Sequence, residues 1–196
     1  DVNIAFANEL SMICDRLGVD VWEVISLANR HPRVNVLQPG PGVGGHCIAV
    51  DPWFIVSSAP DEAQLIAMAR EVNDAKPDWI LEKARAAIGA HLTEYPDQTA
   101  REVTVAIYGL TFKPDIDDLR ESPALGIARR IAKEHSGTLK IVEPNISELP
   151  KDLTKGLFCS FKEASADVHI MLVDHKEFKD VIPPTGYIVD ARGVWL

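Results

Sequence analysis

The 196-residue sequence is poor in cysteine, lacks long hydrophobic runs and has no excess of basic residues. Its three cysteines, Cys14, Cys47 and Cys159, are odd in number and widely spaced, which argues against a disulfide framework and favours a reducing, cytoplasmic location. The longest apolar runs, such as VTVAIYGL, are too short to span a membrane. Acidic residues outnumber basic ones 29 to 20, and the basic residues are scattered. We therefore expect neither nucleic acid nor a membrane as a partner.

The first half of the chain has helical periodicity and almost no strand signal. Apolar spacing predicts helices over residues 3–17, 21–28 and 52–58, and a long one from 60 to about 91 that Pro77 should kink or split. The long helix is expected to bury one apolar stripe: Leu65, Met68, Ala69, Val72, Ile80 and Ala84. Asp20 is the expected N-cap of the second helix, because Glu23 follows at capping-box spacing. The helical pattern is present from the first residue, as it would be in a fragment of a longer protein.

The second half, after a polar segment near residue 98, alternates between strands and a helix. The pattern predicts strands at 103–110, 139–144, 166–175 and 186–192 and an amphipathic helix at 122–135. This order is typical of an α/β fold with a doubly wound parallel sheet, where ligands bind beyond the carboxyl ends of the strands. The first turn, at Gly109, lacks the G-x-G-x-x-G pattern, so a dinucleotide site of the usual form is not expected there.

Residues 39–53, PGPGVGGHCIAVDPW, combine a glycine-rich loop, a single cysteine and a carboxylate four residues later. The glycines let a backbone turn sharply or approach a ligand closely: Gly40, Gly42, Gly44 and Gly45. The residues alone leave two interpretations of Cys47 open, a nucleophile activated by nearby N–H groups or a small buried hydrophobic residue. Asp51 is either a base for water or, directly before a proline, a helix N-cap.

Two segments, GVGGHCIAVDPW and IYGLTFKPDIDDLRESPAL, together with the helical pattern before them, resemble the UDP-glucose/GDP-mannose dehydrogenase family. HCIAVDPWFIV is similar to the branch that acts on UDP-N-acetylhexosamines. The resemblance implies a helical dimerisation domain, residues 1–98, followed by a Rossmann-like UDP-sugar-binding domain, residues 99–196. It also implies oxidation of a sugar 6-alcohol to a carboxylate with NAD.

The resemblance assigns the chemistry to the glycine loop. Cys47 is the nucleophile that forms a thioester with C6 of the sugar, and Asp51 activates the water that hydrolyses it. The sugar pocket is lined by three glycines: Gly42, Gly44 and Gly45. Arg33 is similar to an arginine that reaches from one subunit into the site of its neighbour, and His31 in the same segment is expected to join it, which implies a homodimer through the helical domain.

Three basic residues of the second half also receive roles. Lys113 resembles a lysine that contacts the sugar or phosphate of the substrate, and its alternative is a solvated loop lysine. Arg120 resembles an arginine on the NAD phosphates, and its alternative is an ion pair with Asp117 or Glu121. Arg192, at a strand end, is a further candidate for a phosphate contact.

The sequence departs from the family in lacking the N-terminal NAD domain, so the chain alone is expected not to reduce NAD+. Two other classes stay open: a stand-alone binding or scaffold module with an inert cysteine, and an acyl-transfer enzyme that uses Cys47 with His46. No metal is expected, because the sequence offers His46 no two further ligands at a suitable spacing.

Overall fold

The computed structural model describes residues 1–195, which form five α-helices and one five-stranded sheet. The helices are α1 (Val2–Leu17), α2 (Val21–Ala28), α3 (Asp51–Ser58), α4 (Gln64–Glu94) and α5 (Pro123–Glu134). The strands are β1 (Thr104–Tyr108), β2 (Thr138–Val142), β3 (Gly156–Phe158), β4 (Val168–Met171) and β5 (Tyr187–Asp190). The predicted elements are confirmed, and β3 is an addition to them. Over the described residues, every helix is too short or too polar to cross a membrane.

The ends of the first two helices follow local signals. Gly18 ends α1 in the left-handed conformation, at φ 67°, which glycine adopts without steric cost. The Asp20 carboxylate accepts the N–H groups of Trp22 at 2.7 Å and Glu23 at 3.3 Å. The predicted N-cap of α2 is therefore confirmed.

Pro77 was expected to kink or split the long helix, and α4 runs through it without a break over 31 residues, so the split alternative is wrong. A proline removes one helix hydrogen bond, but here the helix is held by packing against α1, α3, α5, β4 and β5. The Pro77 ring also lies against the glycine loop, where a Cβ added to Gly42 would be 3.4 Å from its Cδ. Because α4 packs on both halves, the domain boundary after residue 98, which falls between α4 and β1, stays a prediction.

The buried stripe of α4 differs from the expected one in its first half. Leu65 and Met68 are 67% and 56% exposed. Polar side chains take the buried positions instead: Arg70, Asn73 and Lys76. They are tolerated there because they bond to α1, as in the 2.9 Å hydrogen bond from Asn8 Nδ2 to Asn73 Oδ1.

The sheet is parallel, with strand order β3-β2-β1-β4-β5. The chain runs outward from β1 to β3 and then returns to the other side of β1 as β4, which confirms the doubly wound topology and places the switch point between β1 and β4. Helices α4 and α5 cover one face over an aliphatic core. The other face is covered by two 3-10 turns and an aromatic cluster of Tyr108, Phe161, Phe178 and Trp195.

Candidate active site

Cys47 begins a helical turn that leads into α3. Its carbonyl accepts the N–H of Val50 at 3.1 Å and that of Asp51 at 2.8 Å. The second bond has the i to i+4 pattern of an α-helix, so Cys47 and Asp51 lie one turn apart on the same side of the backbone. Val50 holds the N-cap position of α3, and Asp51 is the first helical residue. The N-cap interpretation of Asp51 is therefore wrong.

Both members of this pair face solvent. Cys47 is exposed, whereas Cys14 is the buried cysteine, so the interpretation of Cys47 as a small buried hydrophobic residue is wrong. Asp51 is also exposed. A thiol and a carboxylate are the two groups that are needed to form a thioester on sulfur and to direct water to it.

The glycine loop packs directly on the second sequence motif. A Cβ on Gly44 would lie 2.4 Å from the Glu121 carbonyl oxygen and 2.9 Å from Phe112 Cβ. Gly45 has φ 83°, and a Cβ there would lie 2.9 Å from Phe112 Cε2. Only glycine fits such contacts. Phe112 precedes Lys113, so the structure brings the lysine loop and the cysteine loop together.

The start of the glycine loop is pinned by buried amides. Asn8 Oδ1 accepts the Gly40 N–H at 2.9 Å, while the other end of the Asn8 amide donates to Asn73 Oδ1 at 2.9 Å. Both asparagines are almost fully buried. Sequence analysis missed them, although polar residues inside the α4 stripe were a signal that this face of the helix contacts polar groups.

The cysteine turn itself is held by Arg70. This side chain is buried, donates from Nη1 to Asp1 Oδ1 at 3.0 Å, and reaches the Ile48 carbonyl at 3.4 Å. Its Nη2 pairs with Asp74. Ile48 follows Cys47 directly, so α4 supports the turn that carries Cys47. Beside this support, a cleft of about 450 Å³ opens between the loop, α4 and the start of α5, with Trp53 on its wall.

Lys113 and Arg120 stand at the surface near this loop. Lys113 is exposed, with Nζ 5.5 Å from the centre of the Phe112 ring. Arg120 is 74% exposed and donates from Nη2 to Asp118 Oδ2 at 2.6 Å, so its ion-pair partner is Asp118 rather than Asp117 or Glu121. Hydrogen bonds from Arg120 lower the pKa of Asp118 to about 2. The ligand contacts of both basic residues stay predictions.

The remaining basic residues that were expected to contact the substrate differ in their surroundings. His31 and Arg33 are exposed in the segment after α2, where the Arg33 N–H lies 3.3 Å from His31 Nδ1. A role in a neighbouring subunit stays a prediction for both. Arg192, in contrast, is engaged within the chain, donating to Asp174 Oδ1 at 2.8 Å and to the Pro39 carbonyl at 3.1 Å.

The first βα turn does not fit a dinucleotide. The N–H groups of Leu110 and Thr111, which would face a pyrophosphate, lie 2.7 Å and 3.3 Å from Glu143 Oε2. Gly109 has φ 87°, and a Cβ there would lie 2.4 Å from Val173 Cβ, so this glycine serves close packing between strand ends. The turn therefore holds an internal carboxylate in place of a phosphate.

Comparison with known proteins agrees with this architecture. The sequence model for the central domain of the UDP-glucose/GDP-mannose dehydrogenase family matches residues 1–75, and that for the UDP-binding domain of the same family matches residues 106–196. The two matches together cover most of the chain, which belongs to the UDP-glucose/GDP-mannose dehydrogenase family.

Two curated relatives show which dehydrogenases of this family the chain is similar to. The chain is 60% identical to UDP-N-acetyl-D-mannosamine dehydrogenase from Salmonella typhi, an alignment that covers 100% of this chain and 48% of the relative. It is 52% identical to NDP-N-acetyl-D-galactosaminuronic acid dehydrogenase from Ralstonia solanacearum, covering 100% of this chain and 45% of that protein. The chain thus spans about half the length of the curated relatives it matches.

The fold is similarly shared with solved structures. The structure of a UDP-N-acetyl-mannosamine dehydrogenase from S. aureus superposes with a TM-score of 0.78 at 36% identity, covering 99% of this chain and 45% of that one. The corresponding enzyme from Pyrococcus horikoshii gives a TM-score of 0.78 at 32% identity, with 98% of this chain and 45% of that one covered.

Proposed function

We propose that this chain is the thiol-bearing and nucleotide-sugar-binding half of an NAD-dependent UDP-N-acetyl-D-mannosamine 6-dehydrogenase acting in the cytoplasm. The observation that carries the proposal is the exposed Cys47–Asp51 pair, one helical turn apart, beside the Lys113 loop. The 60% identity to the Salmonella typhi enzyme supports the choice of sugar.

The residues of this chain would act after the 6-alcohol has become an aldehyde. The Cys47 thiolate adds to the aldehyde carbon to give the alkoxide of a thiohemiacetal, and loss of a hydride (two electrons and one proton) from that adduct leaves a thioester. Asp51 takes a proton from water as the water attacks the thioester, which releases the uronate and restores the thiolate. NAD, when bound to the complete enzyme, would accept the hydride of each oxidation, two in all.

Other residues would hold the substrate. Lys113 would contact its sugar or phosphate, Arg120 the cofactor phosphates, and the glycine loop the sugar. Arg33 and His31 would come from a second subunit in a homodimer. The dimer is supported by large apolar side chains left exposed on the helical half: Phe6, Leu17, Leu65 and Met68, between 56% and 70% exposed.

The test is substrate oxidation by the complete enzyme. UDP-N-acetylmannosamine should be oxidised with two NADH formed per sugar, and kcat/KM should exceed that for UDP-glucose, UDP-N-acetylglucosamine and UDP-N-acetylgalactosamine. A preference for UDP-N-acetylgalactosamine would favour the activity named for the Ralstonia solanacearum relative. Absence of NADH formation with every UDP-sugar would contradict the proposal.

A further inference from the structure

A buried imidazole lies where the carboxyl ends of β1, β2 and β4 meet, and the proposed chemistry does not use it. His175 follows β4 and is completely buried. Its Nε2 lies 3.0 Å from Oε2 of Glu143, the residue directly after β2. Its Nδ1 accepts the N–H of Asp115, which belongs to the loop after β1, at 3.0 Å. One ring therefore joins three strand ends.

These contacts fix the protonation pattern of the ring. Because a backbone N–H donates to Nδ1, that nitrogen keeps its lone pair and the proton resides on Nε2, which donates to Glu143. Burial alone would raise the pKa of Glu143, but hydrogen bonds from His175, Leu110 and Asn145 outweigh it and lower the pKa below its usual value. Glu143 is therefore an internal anion in the first βα turn, which also accepts the Leu110 N–H.

The backbone on both sides of Lys113 is held by this arrangement. Before it, Thr111 Oγ1 donates to the Lys113 carbonyl at 2.8 Å, and the Thr111 N–H faces Glu143 at 3.3 Å. After it, Asp115 has φ 60°, a conformation that non-glycine residues rarely adopt, and its carboxylate accepts the Lys176 N–H at 3.0 Å. The bond from Asp115 to His175 supports this backbone shape, while the lysine side chain stays exposed.

We propose that His175 and Glu143 are positioning residues that hold the 110–115 loop in the shape in which Lys113 meets the nucleotide sugar. The proposal rests on the proposed function for the identity of the ligand. It also assigns the trio of Asp115, His175 and Glu177, whose ligand atoms lie within 4.8 Å of one another, to loop support rather than to a metal ion, because His175 Nδ1 already accepts a backbone N–H.

The test compares two replacements of the ring in the complete enzyme. Asparagine places an acceptor near the position of Nδ1, whereas glutamine places its amide near Nε2. His175→Gln should raise KM for the UDP-sugar about 10-fold, with kcat changed by less than about 3-fold, since it loses the loop contact. His175→Asn should keep KM within about 3-fold of the wild type. In a Lys113→Ala background, His175→Gln should raise KM by less than a further factor of about 2, because both changes remove the same contact between Lys113 and the substrate.

Three kinetic results would overturn the proposal. The first is an equal rise in KM for the two His175 replacements. The second is a double variant in which the KM effects of His175→Gln and Lys113→Ala multiply. The third is a rise in KM for Glu177→Gln as large as that for His175→Gln, which the metal interpretation requires. A ligand-free readout separates this proposal from the proposed function. Hydrogen exchange in residues 110–118 should accelerate in His175→Gln and not in His175→Asn, and unchanged exchange in both would also overturn it. Failure of the wild type to oxidise any UDP-sugar would contradict the proposed function alone.

Discussion

Arg192 Nη1 donates to the Pro39 carbonyl at 3.1 Å, and its Nε donates to Asp174 Oδ1 at 2.8 Å. The first bond joins two residues 153 positions apart in the chain and ties the end of β5 to the start of the glycine loop. Burial acts to raise the pKa of Asp174, but Arg192 and Lys179 lower it below its usual value. The two halves are therefore connected by a charge-assisted link.

Removal of that link should weaken the fold. Arg192→Ala is expected to lower the free energy of unfolding by about 1–3 kcal/mol, because it leaves the partly buried Asp174 carboxylate with only the exposed Lys179 as a charged partner and removes the donor to the Pro39 carbonyl. The control is Lys179→Ala, which removes an exposed partner of the same carboxylate, 3.1 Å away, and should cost less than about 1 kcal/mol. Urea unfolding measures both, and equal losses would contradict the assignment.

The contact between the two motifs predicts that Gly44 is irreplaceable. Gly44→Ala should destabilise the protein by about 1–3 kcal/mol or shift the loop, because the new Cβ would meet the Glu121 carbonyl at 2.4 Å. Gly89, an exposed residue in the second half of α4, has open space around its Cβ position. Gly89→Ala should therefore stabilise by about 0.5–1 kcal/mol. Thermal unfolding of both variants checks the prediction, and a Gly44→Ala protein as stable as the wild type would refute it.

The cysteine turn predicts two different kinetic defects in the complete enzyme. Cys47→Ser should retain alcohol oxidation better than aldehyde oxidation and should accumulate little covalent adduct, because the hydroxyl is a much poorer nucleophile. Asp51→Asn should accumulate the thioester, because the water loses its base. Intact-protein mass spectrometry after quenching distinguishes the two. Full four-electron turnover by Cys47→Ala would rule out the nucleophile.

Sequence periodicity predicted α1, α2, α5 and four strands because each buries one face at the spacing of its own secondary structure. At Pro77 it also allowed a split of the helix, which does not occur because packing on α1 and the sheet outweighs a lost helix hydrogen bond. It also missed β3, which has three residues at the edge of the sheet, with Leu157 58% exposed. A strand that short and exposed has no alternating pattern.

The sequence predicted only those parts of the candidate site whose residues are close together in the chain. Cys47 and Asp51 are four residues apart, so helix geometry alone relates them. Folding brings Arg70 to Ile48 in the Cys47 turn from 22 positions away in the chain. It brings His175 to Glu143 from 32 positions away. Nothing in a single sequence marks such pairs. The one available signal was the presence of polar residues inside the α4 stripe.

Lys76 predicts a pH dependence of stability. Burial lowers its pKa to about 7, against the attraction of Asp15. Between about pH 7 and the usual lysine pKa of 10.5, the unfolded chain holds a proton that the folded chain has released, so the free energy of unfolding should rise with pH in this range. Below pH 7 the full cost of burying the charge is present.

Lys76→Met serves as the reference, because methionine fills the site without a charge. The variant should be more stable than the wild type at pH 6, despite losing the contact of Nζ with the Trp79 ring at 3.7 Å. Its advantage should shrink steadily towards pH 10. Urea unfolding at four pH values gives the comparison, and a constant difference across them would show that Lys76 does not titrate in the folded state.

The proposed dimer predicts complementation between inactive variants. Arg33→Ala removes the residue that would enter the neighbouring site, and Cys47→Ala removes the nucleophile of its own site. A mixed dimer would contain one site with both groups, so mixing should restore up to about one quarter of wild-type activity for random pairing of a two-fold dimer. Light scattering should confirm the dimer. Failure to regain activity after verified subunit exchange would place Arg33 outside the neighbour's site.

Helix α4 also has a consequence for engineering. With 31 residues it is about 46 Å long, and it carries the polar supports of the cysteine loop at one end and part of the sheet core at the other. A chimera joined with a relative at the 98/99 junction would pair this helix with a foreign sheet. A junction placed before residue 64 would instead pair it with a foreign α1. Exchange of substrate specificity between relatives therefore requires that α1, α4 and the sheet face beneath α4 be transferred as one unit.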